Sequence, residues 1–333
     1  MTQNKKLVSL QKGNRRVIPI DNIYPKLSKI IGKPCHLEMG MTIIVSNLLK
    51  VMSNERLGKV IIDGVRLCYI AQPETLEVLR CVGIGERVEV GEFSIIRISG
   101  LHFQYYFRVL LDDKDCGHIY FGRYGDDDSS YIWLKIDNRL LYEGNMADIL
   151  RVLKNTLNLT YNNITSLDLA VDSKKNFVYA IRKLYKDKNV ATIVNGKEIH
   201  DRKKSVPELH ITYKVTLDRL KDPTFYCCQR EAVQNKRNGI YVCAYNKLAE
   251  IEESSHKSYV TEFYGSPKSL HRLEVRLNYD YLKRFESEDE SNLLFNREVL
   301  TNVFHDALSR VIRFRRGRKR LHWKDILGSG NLR

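Results

Sequence analysis

Short runs in which apolar and polar residues alternate recur along most of this chain, and they constrain its fold more than any other feature. Successive side chains of a strand point to opposite faces of a sheet, so a period of two predicts half-buried β-strands. Helical spacing is confined to a few segments, including the strongly amphipathic NREVLTNVFHDALSRVIRF. The chain is therefore predicted to form a sheet-rich core covered by few helices. The alternating runs include KVIIDGVRLCYI, LHFQYYFRVLL, YIWLKID, SLDLAVD, LHITYKV, IYVCAY and LHRLEVRL.

The charge balance favours a polyanionic partner. The 333 residues contain 55 Lys and Arg against 40 Asp and Glu, a formal net charge of +15. A surplus of this kind is typical of proteins that bind nucleic acid. No window has the apolar length of a membrane span, and MTQNKKLVSLQKGNRR at the N-terminus lacks the apolar core of a secretion signal. We therefore expect a cytoplasmic protein with a nucleic-acid partner and no membrane association.

Part of the positive charge is concentrated in the sequence RFRRGRKR near the C-terminus. From residue 301 onward, nine Lys or Arg stand against Asp306 and Asp325. A charge run is usually a solvated helix end, but this density is also expected of phosphate contacts. The residues predicted to contact DNA are Arg313, Arg315, Arg316, Arg318, Lys319 and Arg320.

Two carboxylates share one face of an otherwise apolar strand. In SLDLAVD, the alternation places Asp168 and Asp172 on one face, with Ala170 between them. Carboxylates buried side by side repel each other and need a cation, a basic side chain or a shared proton. A hard divalent cation such as Mg²⁺ or Mn²⁺ suits their oxygens. The commoner alternative is that Asp172 caps the next helix and Asp168 pairs with a Lys or Arg.

A third carboxylate lies within the strand predicted from LHRLEVRL. Glu274 shares its face with Arg272 and Arg276. One interpretation is an ordinary cross-strand ion pair. The other is a third oxygen ligand, which requires this strand to lie beside the strand of Asp168.

The run IYVCAYNKLAE changes from apolar to polar at a tyrosine. Alternation places Tyr241, Cys243, Tyr245 and Lys247 on one face, so Tyr245 is predicted at the lip of a sheet. By itself this position fits either a rim aromatic or a reactive phenol.

The order of LDLAVD, then AYNK with Glu250 five residues after the tyrosine, then RLEVRL, resembles the motif order of the Rep_trans family of rolling-circle replication initiators. The resemblance covers roughly residues 130–285. It implies that Tyr245 is the nucleophile that nicks one DNA strand, giving a 5′-phosphotyrosine and a free 3′-hydroxyl. It also implies that Lys247 is the basic neighbour of the tyrosine and that Glu250 has a supporting role.

The same resemblance assigns the charged strand residues. Asp168 and Asp172 match the aspartates of the family's L-D-L-A-x-D motif, and Arg272 and Glu274 match its R-x-E motif. The implied metal ligands are Asp168, Asp172 and Glu274, with Mg²⁺ or Mn²⁺ as cofactor and Arg272 as a supporting residue.

The resemblance and the strand periodicity together predict an α+β fold with a mainly antiparallel central sheet and helices on one side, like the Rep nucleases. Three parts are predicted: a strand-rich N-terminal region over residues 1–125 with DNA binding as its candidate role, a nicking core over 126–285, and a basic helical C-terminal segment over 286–333. The implied partners are the origin DNA of a plasmid, phage or mobile element and a host helicase. Whether the protein works as a homodimer stays open.

Two positions depart from the family pattern, and other protein classes compete with it. Cys243 stands where the family usually has Arg, and Arg276 stands where a second Glu is often found. Neither His118-Ile-Tyr nor His210-Ile-Thr supplies the second histidine of the His-hydrophobic-His nicking enzymes. A non-catalytic DNA-binding protein is the main alternative, followed by a structural or capsid-like basic protein. Both explain the charge but not the aligned carboxylates.

Overall fold

The computed structural model describes residues 56–123, 130–200, 209–216, 219–227, 239–285 and 287–328. All of them belong to one compact unit, residues 53–333. The first 55 residues of the predicted N-terminal region lie outside the described residues.

The described strands form two antiparallel sheets. Their bounds are β1 Val60–Ala71, β2 Arg87–Val90, β3 Phe93–Ile98, β4 Phe103–Leu111, β5 Lys114–Arg123, β6 Tyr131–Ile136, β7 Leu159–Ser173, β8 Val190–Val194, β9 Lys197–Glu198, β10 Leu209–Thr216, β11 Arg219–Cys227, β12 Ile240–Asn246, β13 His271–Asn278, β14 Ile312–Arg316 and β15 Lys319–Leu321. Within the described residues, eleven strands form the large sheet in the order β10-β11-β12-β13-β7-β1-β6-β5-β4-β3-β2. Four others form a small sheet in the order β15-β14-β8-β9.

The described helices are mostly short. Their bounds are α1 Pro73–Cys81, α2 Asn138–Glu143, α3 Met146–Thr156, α4 Phe177–Lys186, α5 Lys247–Glu250, α6 Ser258–Phe263, α7 Tyr279–Leu282, α8 Ser291–Leu294, α9 Arg297–Val311 and α10 Trp323–Gly328. A π-helical turn, Ile251–Ser255, continues α5, and a 3₁₀ turn, Lys283–Phe285, continues α7. In the described part of the chain, no helix has the length and apolar character needed to cross a membrane.

One face of the large sheet packs against the longer helices. Leu167, Leu169 and Val171 of β7 are buried in the main core together with apolar residues of α3, α4 and α9. This confirms the alternation expected for SLDLAVD and the predicted α+β fold with a mainly antiparallel sheet. Some helices begin at a side-chain cap: the Asn176 side chain accepts a hydrogen bond from the Tyr179 amide at the start of α4, whereas Asn145 makes no such bond at the start of α3.

Within the described residues, the opposite face of the large sheet is polar and only partly covered. At one end, α2, α6 and the π-helical turn contribute a second, smaller apolar cluster that packs against Ile61 of β1. The buried members of this cluster are Tyr142, Ile251, Val260, Tyr264 and Leu270. The rest of this face carries the charged and aromatic residues discussed below.

Strand β1 lies in the middle of the large sheet, between β7 and β6. Its pairing with β7 shifts between Ile62 and Gly64, so Asp63 is the extra residue of a β-bulge. The sheet thus runs across residue 125, where the first predicted part of the chain ends. The assignment of separate roles to the three parts remains a prediction.

The basic run after α9 forms a β-hairpin. Ile312 and Phe314 alternate with arginines and are buried, which suits a strand with one face on the core. A two-residue loop joins β14 to β15, and its first residue, Gly317, has φ +55°, a conformation that a type II′ turn requires and glycine adopts readily. The predicted amphipathic helix ends at Val311, before this run begins.

Candidate active site

Three neighbouring strands bring the predicted site residues together. β13 lies between β12 and β7, and all three run antiparallel. In this register Tyr245 and Asp172 flank Arg272, and Asp168 is opposite Arg276. Alternation then places these side chains, together with Glu274, on the face away from the main core.

We define the open cluster as Tyr245, Glu274, Arg276 and Asp168. The Tyr245 hydroxyl donates a hydrogen bond to Glu274 Oε2 at 2.8 Å. Arg276 Nε donates to the other oxygen, Oε1, at 2.5 Å. Glu274 is buried, whereas Tyr245 is partly exposed and the Arg276 side chain is 42% exposed. The cluster therefore has one buried carboxylate that connects two groups accessible to solvent.

Asp168 completes the open cluster without a direct partner. Among the described residues it makes no hydrogen bond or ion pair. Burial, and next the charge of Glu274, raise the pKa of Asp168 to about 7, although Arg276 opposes the shift. A Cβ on Gly64 would lie 3.1 Å from Asp168 Oδ2, so the absence of a side chain on β1 makes room for this carboxylate.

We define the closed cluster as Arg272, Asp172, Asp63 and Tyr142. Arg272 donates to both Asp172 oxygens, from Nε at 2.7 Å and from Nη2 at 2.6 Å. Its Nη1 forms an ion pair with Asp63 Oδ1 at 2.6 Å. Nη2 also donates to the Tyr142 hydroxyl at 2.8 Å, and that hydroxyl donates to Asp63 Oδ1 at 2.5 Å. Arg272 and Asp172 are both fully buried.

The charges of the closed cluster stabilise one another. Burial opposes the charge on Arg272, but Asp172 and Asp63 hold the pKa of its guanidinium well above the usual range. Burial also opposes ionisation of Asp63, yet Arg272 and Lys247 hold the pKa of that carboxyl well below its usual value. Burial raises the pKa of Tyr142. The closed cluster is therefore a buried network around one charged arginine that ties β13 to β7, β1 and α2.

Lys247 and Glu250 form an ion pair beside the tyrosine. Asn246 ends β12, and its side chain accepts a hydrogen bond from the Ala249 amide, which starts α5 immediately after the strand. Lys247 Nζ lies 2.6 Å from Glu250 Oε2 and 5.8 Å from the centroid of the Tyr245 ring. Burial, and then the charge of Arg272, lower the pKa of Lys247. The predicted basic neighbour is thus close to the ring and balanced by the predicted supporting carboxylate.

Sequence position alone does not separate Tyr245 from Tyr241 or Tyr281 as the nucleophile, but the structure shows that the three tyrosines differ in exposure. Tyr241 is buried, and its ring lies 5.7 Å from the Arg276 guanidinium carbon. Tyr281 is buried, and its hydroxyl donates to Asp306 Oδ2 at 2.8 Å, under α9. Tyr245 is the partly exposed one. Burial and the charge of Glu274 raise its pKa well above the ordinary value, so its phenol is protonated at neutral pH.

The three predicted metal ligands, Asp168, Asp172 and Glu274, are not equally placed to hold an ion. Among the described residues, no group of three or more His, Cys, Asp or Glu side chains is arranged to hold a metal ion. Both oxygens of Asp172 are engaged by Arg272, so its role as a ligand remains a prediction. Asp168 and Glu274 lie one diagonal step apart on adjacent strands. Two carboxylates completed by water and substrate phosphate are a common Mg²⁺ environment. Each Glu274 oxygen already accepts one hydrogen bond, from Tyr245 or Arg276, so this pair would suit such an ion only through a remaining lone pair of Glu274.

Sequence patterns did not identify Asp63 or Tyr142 as members of a charged cluster. Asp63 reaches the site because the bulge turns it toward the polar face, and Tyr142 arrives from α2. A signal for the first was present, since an Asp-Gly pair inside an apolar strand pattern is typical of a bulge. No local signal pointed to Tyr142.

The basic hairpin β14–β15 contains both paired and unpaired cations. Arg315 pairs with Glu198 at 2.9 Å and Arg316 with Asp187 at 3.1 Å. The remaining predicted DNA contacts have no hydrogen-bond or ion-pair partner within the described residues, and those at the turn are exposed. These are Arg313, Arg318, Lys319 and Arg320. Their contact with DNA remains a prediction.

Comparisons with known proteins show a distant structural similarity. No protein-family model matches the chain, and no curated protein sequence matches it significantly. Among solved structures, the chain is similar to the rolling circle replication initiator protein from Geobacillus stearothermophilus, with 15% sequence identity and a TM-score of 0.42. The match covers 78% of this chain and 89% of the other. A similarity at this level establishes neither a shared family nor a shared activity.

Proposed function

We propose that this protein nicks one strand of DNA through a covalent tyrosine intermediate and thereby initiates rolling-circle replication. The observation that carries the proposal is the hydrogen bond from the hydroxyl of the partly exposed residue Tyr245 to Glu274 Oε2, next to the carboxylate of Asp168, which has no direct partner among the described residues. A phenol that donates to a carboxylate at 2.8 Å has a base within proton-transfer distance.

The proposed reaction begins at that hydrogen bond. As Tyr245 Oη attacks the phosphorus, its proton passes to Glu274 Oε2. An Oη–P bond forms, the bond from phosphorus to the 3′ oxygen breaks, and the leaving oxygen takes a proton from solvent to become a 3′-hydroxyl. The downstream strand is then held as a 5′-phosphotyrosine, and attack by a 3′-hydroxyl in the reverse sense rejoins the strands. Arg276 orients Glu274 through its bond to Oε1.

Asp168 would hold the Mg²⁺ or Mn²⁺ ion, with Glu274 contributing the remaining lone pair of Oε1, because Oε2 receives the tyrosine proton. When bound, such an ion polarises the scissile phosphate and offsets the charge that develops on it. The raised pKa of Asp168 fits this role, because a carboxylate with no counter-ion and a like-charged neighbour gains most from a cation.

The unpaired cations of the basic hairpin would contact phosphates. Each phosphate contact on duplex DNA lowers the logarithm of affinity by about 0.9 per tenfold increase in salt. Replacing Arg318, Lys319 and Arg320 with Gln should therefore flatten the salt dependence more than replacing the paired Arg315 and Arg316 does. As an initiator, the protein would act on the origin of a plasmid, phage or mobile element and deliver the opened strand to a host helicase.

The test uses the full chain with supercoiled origin DNA from the element that encodes it, in Mg²⁺ or Mn²⁺. We expect nicked circles and, on an oligonucleotide labelled at its 3′ end, a labelled band that migrates with the denatured protein. The strand labelled at its 5′ end should be shortened, free of protein and extendable by a polymerase. A 5′-labelled strand linked to protein would mean a 3′-phosphotyrosine and would contradict the proposal.

A non-catalytic DNA-binding protein remains the second candidate, because one observation favours it. Both oxygens of Glu274 are already engaged, by Arg276 and Tyr245, so the same contacts could serve only to stabilise the sheet. Tight, salt-dependent DNA binding without any covalent adduct under either metal would favour that function over nicking.

A further inference from the structure

The polar face of the large sheet continues beyond the candidate active site as a surface rich in aromatic rings. Tyr106 of β4, Tyr120 of β5 and Trp133 of β6 form a cross-strand row of nearly parallel rings, with centroids 5.4 Å and 6.2 Å apart. Phe103 packs against two of these rings, at 4.5 Å from Tyr120 and 5.6 Å from Trp133. Tyr120 is buried at the centre, while Tyr106, Trp133 and Phe103 are partly exposed. We call these four residues the aromatic row.

Exposed cations border the aromatic row. The guanidinium carbon of Arg66 lies 5.8 Å from the Tyr120 ring, and that of Arg123 lies 5.8 Å from the Trp133 ring. Lys135 follows Trp133 on the same face of β6. Arg66, Arg123 and Lys135 are exposed and have no ion-pair partner among the described residues. Arg108, on β4, is already paired with Asp115.

Strand β1 connects this surface to the candidate active site. Gly64 is opposite Asp168, Arg66 is opposite Lys135, and Cys68 is opposite Trp133. With about 3.3 Å per residue and about 4.8 Å between strands, Asp168 and Trp133 are roughly 16 Å apart across one continuous face. A chain of a few nucleotides could span that distance without leaving the sheet.

We propose that the aromatic row and its three cations bind single-stranded DNA, with bases stacked on the rings and phosphates paired with Arg66, Arg123 and Lys135. This inference rests on the proposed function and names the form of its substrate. Alternation of partly exposed rings with unpaired cations is the combination that binds unpaired strands, because rings accept any base and cations follow the backbone. Duplex DNA fits it less well, because paired bases have no free faces.

The chain supplies its own reporter for this test. It contains two tryptophans, and Trp323 is buried with its indole nitrogen bonded to the Ile312 carbonyl. Trp133 is the partly exposed one. Titration of the full chain with an oligothymidine in EDTA, which prevents nicking, should therefore quench tryptophan fluorescence. A duplex of equal length should quench it much less.

Variants separate stacking from general charge. Base stacking on an aromatic side chain is worth about 1–3 kcal/mol, so Trp133→Leu or Tyr106→Leu should weaken binding by about five- to hundredfold. Because Trp133 is itself the reporter, the affinities of the variants are measured by the fluorescence anisotropy of a dye-labelled oligothymidine. Trp133→Phe should restore most of the affinity, because it keeps a ring. Lys135→Gln should lower the salt slope by about 0.7, the value for one contact on a single strand. Tyr179→Leu is the matched control, since Tyr179 is a 66% exposed aromatic on α4 and should not matter.

The outcomes keep this inference distinct from the proposed function. Quenching that is lost in Tyr106→Leu, which keeps the Trp133 reporter, but kept in Tyr245→Phe would support the surface even if no nicking is ever observed. Nicking with full affinity in both Trp133→Leu and Tyr106→Leu would overturn the surface and leave the nicking proposal intact. Equal affinity for single strand and duplex, or tighter binding of RNA of the same sequence, would also overturn it.

Discussion

The open and closed clusters contain the same kinds of side chain, an arginine, carboxylates and a tyrosine, on one face of the same sheet. In the closed cluster, Arg272 engages two carboxylates and a hydroxyl and is fully buried. In the open cluster, Arg276 engages one carboxylate, and its side chain is 42% exposed. Asp168 is left without a direct partner in the part of the chain that the structure describes. The difference shows that residue type does not separate a structural ion pair from a reactive one, whereas the balance of partners does.

The physical reason lies in what covers each cluster. Helix α2 and the apolar cluster around it exclude water from Arg272, so its buried guanidinium needs fixed partners for its N–H groups. Nothing among the described residues supplies the same saturation at Asp168, where burial and the charge of Glu274 raise the pKa of the unpaired carboxyl to about 7. An unsaturated charge is available to a ligand, and a saturated one is not.

The largest expected difference between the clusters concerns their tyrosines. Each donates a hydrogen bond to a carboxylate, so Tyr245→Phe and Tyr142→Phe remove equivalent atoms. We expect Tyr245→Phe to abolish the covalent DNA adduct while folding and DNA binding are kept. Tyr142→Phe should keep the adduct and instead cost about 1–3 kcal/mol in free energy of unfolding, because it breaks bonds to charged groups.

Denaturing gels of adducts and urea unfolding of both variants measure this contrast. An adduct that persists in Tyr245→Phe and disappears in Tyr241→Phe would show that the wrong tyrosine of β12 was chosen. Loss of the adduct in Tyr142→Phe at unchanged stability would remove the distinction between the clusters.

The next largest effect concerns the arginines. Arg272→Met should cost about 3–5 kcal/mol in free energy of unfolding, because it leaves Asp172 and Asp63 buried without a counter-ion. Arg276→Met should cost clearly less, since Glu274 keeps the Tyr245 hydroxyl as a donor. Urea unfolding of both variants checks this, with the exposed pair Arg139–Glu143 as a reference: Arg139→Met should change stability by less than about 1 kcal/mol. Equal costs for Arg272 and Arg276 would contradict the comparison.

The aspartates should give pH dependences in different windows. The pKa of Asp168 is raised to about 7, so the stability that its carboxyl contributes is present below the unfolded pKa and is lost as pH rises toward 7. Asp168→Asn should remove that loss, about 1–2 kcal/mol once partial exposure is considered. The pKa of Asp63 is depressed, so its stabilisation is present at neutral pH and is lost as pH falls through the acid range.

Urea unfolding in EDTA, from pH 3 to pH 8, tests both directions on wild type, Asp168→Asn and Asp63→Asn. We expect the stability of Asp168→Asn relative to wild type to rise between about pH 4 and pH 7. That of Asp63→Asn should fall as the pH rises from about 3. Parallel profiles for the two variants would mean that the clusters are electrostatically alike.

Alternation in the sequence was enough to place the carboxylates on one face but not to tell the clusters apart. Asp168 and Asp172 in SLDLAVD, and Arg272 and Arg276 in RLEVRL, obey the period of two, and the structure confirms those faces. The same period makes Arg272 and Arg276 equivalent, since they are four residues apart on one strand. What separates them is the covering by α2 and the position of β1 beside β7, and both depend on contacts between distant parts of the chain.

The sequence pattern of the basic segment was likewise not enough to predict its structure. Charge density drew attention to RFRRGRKR, but the hairpin that pairs two of its arginines with Glu198 and Asp187 depends on the partner strand β8 and its neighbours. The glycine between the arginines was the local signal for a turn. The type of turn, however, is set by the pairing of β14 with β15 on either side of Gly317.

The smallest expected effect comes from Gly64, the residue that leaves space for Asp168. A Cβ there would lie 3.1 Å from Asp168 Oδ2, and the unpaired carboxylate can move a few tenths of an ångström at little cost. Gly64 does not have a positive φ, so Gly64→Ala should change the free energy of unfolding by less than about 1 kcal/mol, with the lower entropy of the unfolded chain offsetting the contact. The displaced carboxylate should nevertheless weaken Mn²⁺ binding a few-fold, measured by the signal of free Mn²⁺ in electron paramagnetic resonance.

Gly83→Ala is the matched control, because a Cβ there would meet the exposed Glu86 Oε2 at 3.2 Å. Gly83 lies between α1 and the edge strand β2, away from the candidate active site. If Gly64→Ala and Gly83→Ala bind Mn²⁺ as wild type does, Asp168 does not hold the ion in the geometry that β1 permits. The open cluster would then differ from the closed one in exposure alone.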